Sequence, residues 1–261
     1  MTQAEWLACA DPTPMLEFLT DQGSPRKLRL FGVACCRRFW HLLDDEHCKK
    51  LVEVGVPLGC DDLPGLPLDS CRKAIEMAER VADEPVSPGD LRALSEAALR
   101  FQFPGEYYCA CYDESSHGPF DGELVAAGTA ASAAHAASLS YVSPGGVAWE
   151  AAQAAGYLRT KEFGPADESG VAAEGLCHCD ILRDIFGNPF RPVTLDPAWR
   201  TPKVKTLAQA IYDDRTFERM PELADALAEA GSSNQDILSH CRGPGPHVRG
   251  CWVVDLVLGK E

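Results

Sequence analysis

The sequence predicts an all-α fold, a compact multi-helix globular domain with proline- and glycine-rich loops. Three observations carry the prediction. Helix-start signals recur along the whole chain, apolar residues follow them at spacings of three and four, and no alternating run is long enough to demand a sheet. Thr2 followed by Glu5 is a capping box that opens a short helix to about Ala10. Asp11-Pro12, an N-cap with proline at the first helical position, starts a second helix carrying Met15, Leu16, Phe18 and Leu19, stopped by Gly23. Ser24-Pro25 repeats the signal, and Leu28, Phe31, Cys35, Phe39 and Leu42 then predict a third helix to about Leu43. Leu30, Val33, Ala34 and Trp40 widen its stripe nearly all round, so it is expected at the centre of the core.

Further helices are expected over Asp45–Val54, from Asp69 to Val81, and from Ser87-Pro88 to about Phe103, with irregular stretches at Gly55–Pro67 and Glu106–Gly122. Thirteen of the thirty residues from Ala126 to Ala155 are alanine, so this segment reads as two thin, close-packing helices broken at Ser143-Pro144-Gly145. After Gly164-Pro165 a helix carries Val171, Leu176, Cys179, Leu182 and Ile185 to a stop at Gly187-Asn188-Pro189. Phe190–Thr201 is a proline-punctuated loop, followed by helices at Lys203–Asp213, Pro221–Ala230 and Asn234–Cys241. Arg242-Gly243-Pro244-Gly245-Pro246 is a stiff loop, and the apolar run Cys251–Leu258 suits a helix or a strand equally. The 261 residues read as one helical domain with three parts: 1–54, an alanine-rich middle at 55–170, and 171–261.

A net charge of −15 repels phosphate backbones and anionic lipid, so nucleic acid is not an expected partner. Leu124–Trp149 carries no charge, but its serines, Thr129, His135 and alanines argue against a membrane span. The start of the chain has no basic, apolar export signal, so a cytoplasmic location and free thiols are expected for the twelve cysteines. No C-x-x-C occurs, which excludes zinc ribbons and thioredoxin-type redox motifs.

Three segments carry a family likeness: Glu5–Leu16 with Cys35-Cys36-Arg37-Arg38, Leu182–Pro192, and His240–Trp252. Together they resemble a large paralogous family of uncharacterised proteins from planctomycete bacteria, over the first forty-odd and last eighty residues. The resemblance implies kinship and no established activity. It singles out Cys35, Cys36, His41, Cys179, His240, Cys241, His247 and Cys251, while Cys177 and His178 look particular to this chain.

The densest group of ligand-type residues is His240-Cys241, His247 and Cys251. Zinc takes four soft or borderline donors at about 2.0–2.3 Å, so Cys241, His247 and Cys251 are candidate ligands, with His240 or a thiol from Cys179 or Cys35-Cys36 as the fourth. In the alternative reading these cysteines are packing residues and His247 bonds a loop carbonyl. Cys241 near His247, with Asp255 as orienter, also has the types for a thiolate–imidazole pair. Arg26, Arg29 and Arg37 share a helix face that would dock an acidic or phosphorylated partner, or pair with the chain's own carboxylates. The loop Gly243–Gly250, flanked by Arg242 and Arg249, would cradle an anion with backbone N–H groups. The functional expectation is a helical interaction or structural module with an unknown protein partner and a structural zinc. The alternative is an enzyme using the Cys/His cluster through a metal or a thiolate.

Overall fold

The computed structural model describes residues 1–20, 22–44, 70–84, 122–138, 144–160 and 165–260, with Glu46, Ser87 and Gly89 besides. Among these residues there is no strand, and the fold is all-α. The helices are α1 (Gln3–Ala8), α2 (Pro12–Leu19), α3 (Pro25–Arg37), α4 (Ser70–Asp83), α5 (Gly122–Ser138), α6 (Pro144–Tyr157), α7 (Glu168–Phe186), α8 (Pro202–Asp214), α9 (Met220–Glu229), α10 (Gln235–Arg242) and α11 (Trp252–Leu258). No helix is long and apolar enough to cross a membrane among the described residues. The expected helix at 45–54, the loop at 55–67, the cap Asp69, the helix following Ser87-Pro88 and the irregular stretch at 106–121 lie outside the described residues.

Local chemistry accounts for the helix starts. The Thr2–Glu5 capping box is formed in both directions, and Asp11, Asp167, Thr201 and Asn234 each accept from backbone N–H groups of the first turn they cap. Ser24 makes no such bond, so Pro25 alone marks the start of α3. α3 ends at Arg37, short of the expected Leu43. Arg38 and Phe39 tighten into three-residue bonds to Cys35 and Cys36, and the short 3-10 turn Trp40–Leu42 then buries Leu42 and Leu43. Leu30 through Cys36 are all buried, which makes α3 the centre of the first core as its all-round apolar character requires.

α5 and α6 pack on each other through Ala126, Ala127, Ala130 and Ala133 facing a surface that includes Val147, Ala148, Ala151 and Ala154. Small side chains allow the close approach, and α5 also packs on α4 while α6 packs on α7. On α7 the buried face runs through Glu174, His178, Ile181, Leu182 and Ile185; Leu176, counted above in its apolar stripe, is 51% exposed. Gly187 ends α7 at φ +64, a conformation glycine adopts without penalty, and a Cβ there would meet Trp252 Cγ at 3.2 Å.

Among the described residues, the buried apolar side chains form two clusters. The first runs from Trp6 to Ile185, and the second, from Leu195 to Val257, is built by α8 to α11. The closing run Cys251–Leu258 resolves as helix α11, whose Val253, Val254 and Val257 complete the second cluster. The two clusters meet across a charged layer. Arg26 holds Asp83 (3.0 Å) and Asp255 (2.6 Å), Tyr212 donates to Asp83 (2.5 Å), and Glu79 takes Arg37 (2.5 Å) and Arg215. Arg38 pairs with Glu174. Arg26 and Arg37 therefore pair with the chain's own carboxylates instead of forming an outer docking face.

Two outcomes follow. Phe31 is fully buried in the first cluster, so Phe31→Ala should cost about 3–5 kcal/mol through the cavity it leaves, read as a lower denaturant midpoint; an unmoved midpoint would contradict the placement of α3. Burial alone would raise the Glu79 carboxyl, but Arg215 and Arg37 outweigh it and hold the group below its usual range. A depressed folded value gives stability that is complete above the unfolded value of about 4.3 and lost as pH falls through the folded one. Midpoints measured from pH 7 downward should decline below about pH 4.3, and Glu79→Gln should flatten that decline; parallel curves would contradict the assignment.

Candidate metal centre

The site is assembled at the seam between the two clusters. Asp184 sits in the last turn of α7, on its buried side, with a side chain 2% exposed. His240 lies in the last turn of α10. The Gly243–Gly250 loop then turns back over α7. Gly245 adopts φ +84, and a Cβ there would meet the His247 backbone nitrogen at 2.9 Å. Cys251, fully buried, is the N-cap of α11.

Asp184 receives three partners. His247 Nδ1 is 2.7 Å from Oδ1, His240 Nε2 is 3.0 Å from the same oxygen, and the Val248 N–H donates to Oδ2 at 2.9 Å. His240 Nε2 is also 3.2 Å from Cys251 Sγ. The donor atoms of Asp184, His240, His247 and Cys251 all lie within 4.8 Å of one another, so the group could hold a metal ion. Ligand bonds of about 2.0–2.3 Å imply tetrahedral edges of about 3.3–3.6 Å. The three short separations fall below those edges by about 0.3–0.6 Å and the others lie within 4.8 Å, so the four side chains adjust their positions to hold an ion.

Burial alone would push the Asp184 carboxyl up; hydrogen bonds and charge from His240 and His247 reverse this and hold it below the usual range. Burial, helped by the Asp184 charge, pushes the Cys251 thiol well above its ordinary value. Without a cation beside it, this sulfur is a poor nucleophile. A catalytic imidazole relays a proton between its two nitrogens, one on the nucleophile and one on the carboxylate. Here one nitrogen of His240 faces both groups, a convergence that suits a shared ion and not a relay.

The structure brings together three of the five candidate ligands, His240, His247 and Cys251. It leaves out Cys241 and Cys179. Neighbouring residues on a helix point about 100° apart, and Cys241 does not join His240 in the four-residue group, although its thiol lies near enough to feel the Asp184 charge. Its side chain lies in the second cluster, with the thiol pushed up to about 12 by burial. Cys179, on α7, packs in the first cluster, and burial pushes its thiol up to about 12 as well. Cys35 and Cys36 are buried in that cluster too. Asp255 orients no imidazole; it faces Arg26. Of the loop's backbone N–H groups only Val248 donates to Asp184, while Arg242 pairs with Asp225 and Arg249 with Asp83. A pattern of cysteine and histidine alone does not include Asp184. Its signal was a carboxylate beside Leu182 and Ile185 in an apolar stripe, where an ionised group needs partners.

His240 borders two cavities. One of about 250 Å³ lies under the loop, lined by Asp180, Arg183, Asp184 and His247 among others. The other, about 530 Å³, runs between α1, the end of α7 and α11, past Leu7, Phe186, Trp252 and Leu256. No family model, curated protein or solved structure matches the chain.

The burial pattern predicts thiol reactivity. Brief alkylation of the native protein should label the half-buried Cys9 and Cys177, with Cys35, Cys36, Cys179, Cys241 and Cys251 protected until denaturant is added. Rapid native labelling of Cys251, mapped by mass spectrometry, would contradict its assignment and reopen the nucleophile.

Proposed function

We propose that the chain is a helical interaction module whose C-terminal helices are pinned to α7 by a structural zinc ion held by Asp184, His240, His247 and Cys251. The observation that carries this reading is the convergence of His240 Nε2 with Asp184 Oδ1 at 3.0 Å and Cys251 Sγ at 3.2 Å, with His247 Nδ1 on the same oxygen. One thiolate, two imidazoles and one carboxylate form a borderline-soft set that suits zinc; magnesium and calcium favour oxygen alone. Four protein donors complete a tetrahedron and leave no position for a reacting water, which favours a structural ion over a catalytic one. All four ligands fall within two of the segments that resemble the planctomycete proteins, Leu182–Pro192 and His240–Trp252.

The ion would join an element of the first cluster to the loop and helices of the second, so binding energy becomes folding energy. A reducing, cytoplasmic setting keeps Cys251 available as a ligand. The 530 Å³ cleft beside His240, with apolar walls at Leu7, Phe186, Trp252 and Leu256, supplies a surface for a protein partner. An enzyme using the same cluster is the less supported reading, since it needs an open coordination position or an exposed thiol.

The test is metal-linked stability. The purified protein should carry about one equivalent of zinc, a chelator should lower its melting temperature, and zinc but not magnesium should restore it. His247→Ala should lose both the metal and the chelator response. If the group is only a hydrogen-bonded carboxylate, His247→Ala loses about 1 kcal/mol and the chelator moves neither melting curve.

A further inference from the structure

A third cavity, about 230 Å³, is also lined by His247. Its floor is apolar, formed by Leu30, Val33 and Ala34 of α3 with Phe217. Its rim carries four arginines, Arg37, Arg38, Arg215 and Arg249, against one carboxylate, Glu79. This is a concentration of positive charge in a chain of net charge −15. Arg38 is matched by Glu174, but Arg37 and Arg215 share Glu79, and Arg249 Nη1 stands 3.9 Å from the same carboxylate while its Nη2 reaches Asp83 at 3.1 Å.

The donors outnumber the acceptors. Each guanidinium carries about five N–H groups, whereas a carboxylate has two oxygens to offer. Arg37 Nε and Arg249 Nε are buried without a hydrogen-bond partner, and so is Nε2 of His247, whose side chain is 8% exposed. The two guanidinium nitrogens are charged donors left without an acceptor, which is costly, whereas the His247 nitrogen donates or accepts according to its tautomer. The arginines that line the cleft belong to the end of α3, the C-cap of α8 and the loop at 247–249, so they approach it from different sides. A planar carboxylate presents acceptors in one plane, whereas a tetrahedral oxyanion presents them in every direction, and arginine forks match it well. The volume lies below the roughly 300–1,000 Å³ of drug-sized ligand sites, which suits a small ion or the end of a small molecule. The apolar floor keeps the local dielectric low and strengthens the attraction.

We propose that this arginine-rimmed cleft binds a phosphate-class oxyanion, either inorganic phosphate or the phosphoryl end of a small phosphomonoester. Binding does not pass through the metal ligands' coordinating atoms. Arg37 and Arg215 contact none of the four ligands, so their variants separate this site from the metal centre.

The experiment is a calorimetric titration of the intact protein with inorganic phosphate at constant ionic strength, chloride serving as the blank, with metal content recorded for every variant. Phosphate should bind saturably at about one site. Arg37→Gln should weaken it at least about tenfold (a tenfold change being the resolution of a lost charged contact) with zinc content unchanged. Arg215→Gln, at the more exposed rim, gives the same reading should Arg37→Gln fold poorly. Arg219→Gln, which breaks a pair with Glu222 away from the cleft, should leave binding intact. Competition by glycerol phosphate would support the phosphoryl end of a small molecule, and failure to compete would support the free ion. Heats no different from chloride, or full phosphate binding in both Arg37→Gln and Arg215→Gln, would overturn the proposal.

Discussion

A buried carboxylate needs partners, and Asp184 is the buried carboxylate around which the C-terminal third is arranged. Removing an ionised group from water costs several kcal/mol unless charges and donors replace the solvent. Asp184 obtains them from two places in sequence: His240 at the end of α10, and the Gly243–Gly250 loop through the His247 ring and the Val248 N–H. Those contacts fix where the loop turns back and where α11 begins, and with it the seating of Cys251 as N-cap. The second apolar cluster is thereby hung on the last turn of α7, beside the close approach of Gly187 to Trp252.

The same logic extends along the seam. Glu79, Asp83 and Asp255 are buried or nearly so, and each is met by arginine from the facing elements. Burial pushes the Asp255 carboxyl up even with Arg26 against it, whereas Asp83 is held low by Tyr212, Lys260 and Arg26 together, against its burial. An acidic chain has few cations to distribute, and this one concentrates them at its internal junction. That concentration explains why the basic stretch of α3 does not form an outer docking face. It also leaves the Arg37–Arg249 side richer in donors than Glu79 can satisfy.

The helical fold was legible because its signals are local. Proline after aspartate or serine, the Thr2–Glu5 box and the Gly187 stop act within a few residues, and the structure uses each of them. The end of α3 was not legible, because the turn after Arg37 is decided by where Leu42 and Leu43 find burial. The site was half legible. His240, His247 and Cys251 share a short segment, so their types suffice to nominate them. Asp184 is more than fifty residues away in sequence and joins them only through the packing of α7 on α11. Cys241 and Cys251 are equivalent by residue type and both are buried in the second cluster, but only Cys251 joins the four-residue group. Leu176 shows the same limit in reverse, since α7 buries Glu174 and His178 where hydropathy alone would bury leucine.

The central claim is that the four side chains at the seam share one ion. X-ray absorption at the zinc edge of the purified protein measures that shell directly. The account predicts one sulfur at about 2.3 Å and three nitrogen or oxygen donors at about 2.0–2.1 Å, with imidazole scattering from two histidines. Cys251→Ser should lose the sulfur contribution, and Cys241→Ser should keep it. A protein free of zinc, or a bound zinc whose shell contains no sulfur, would contradict it.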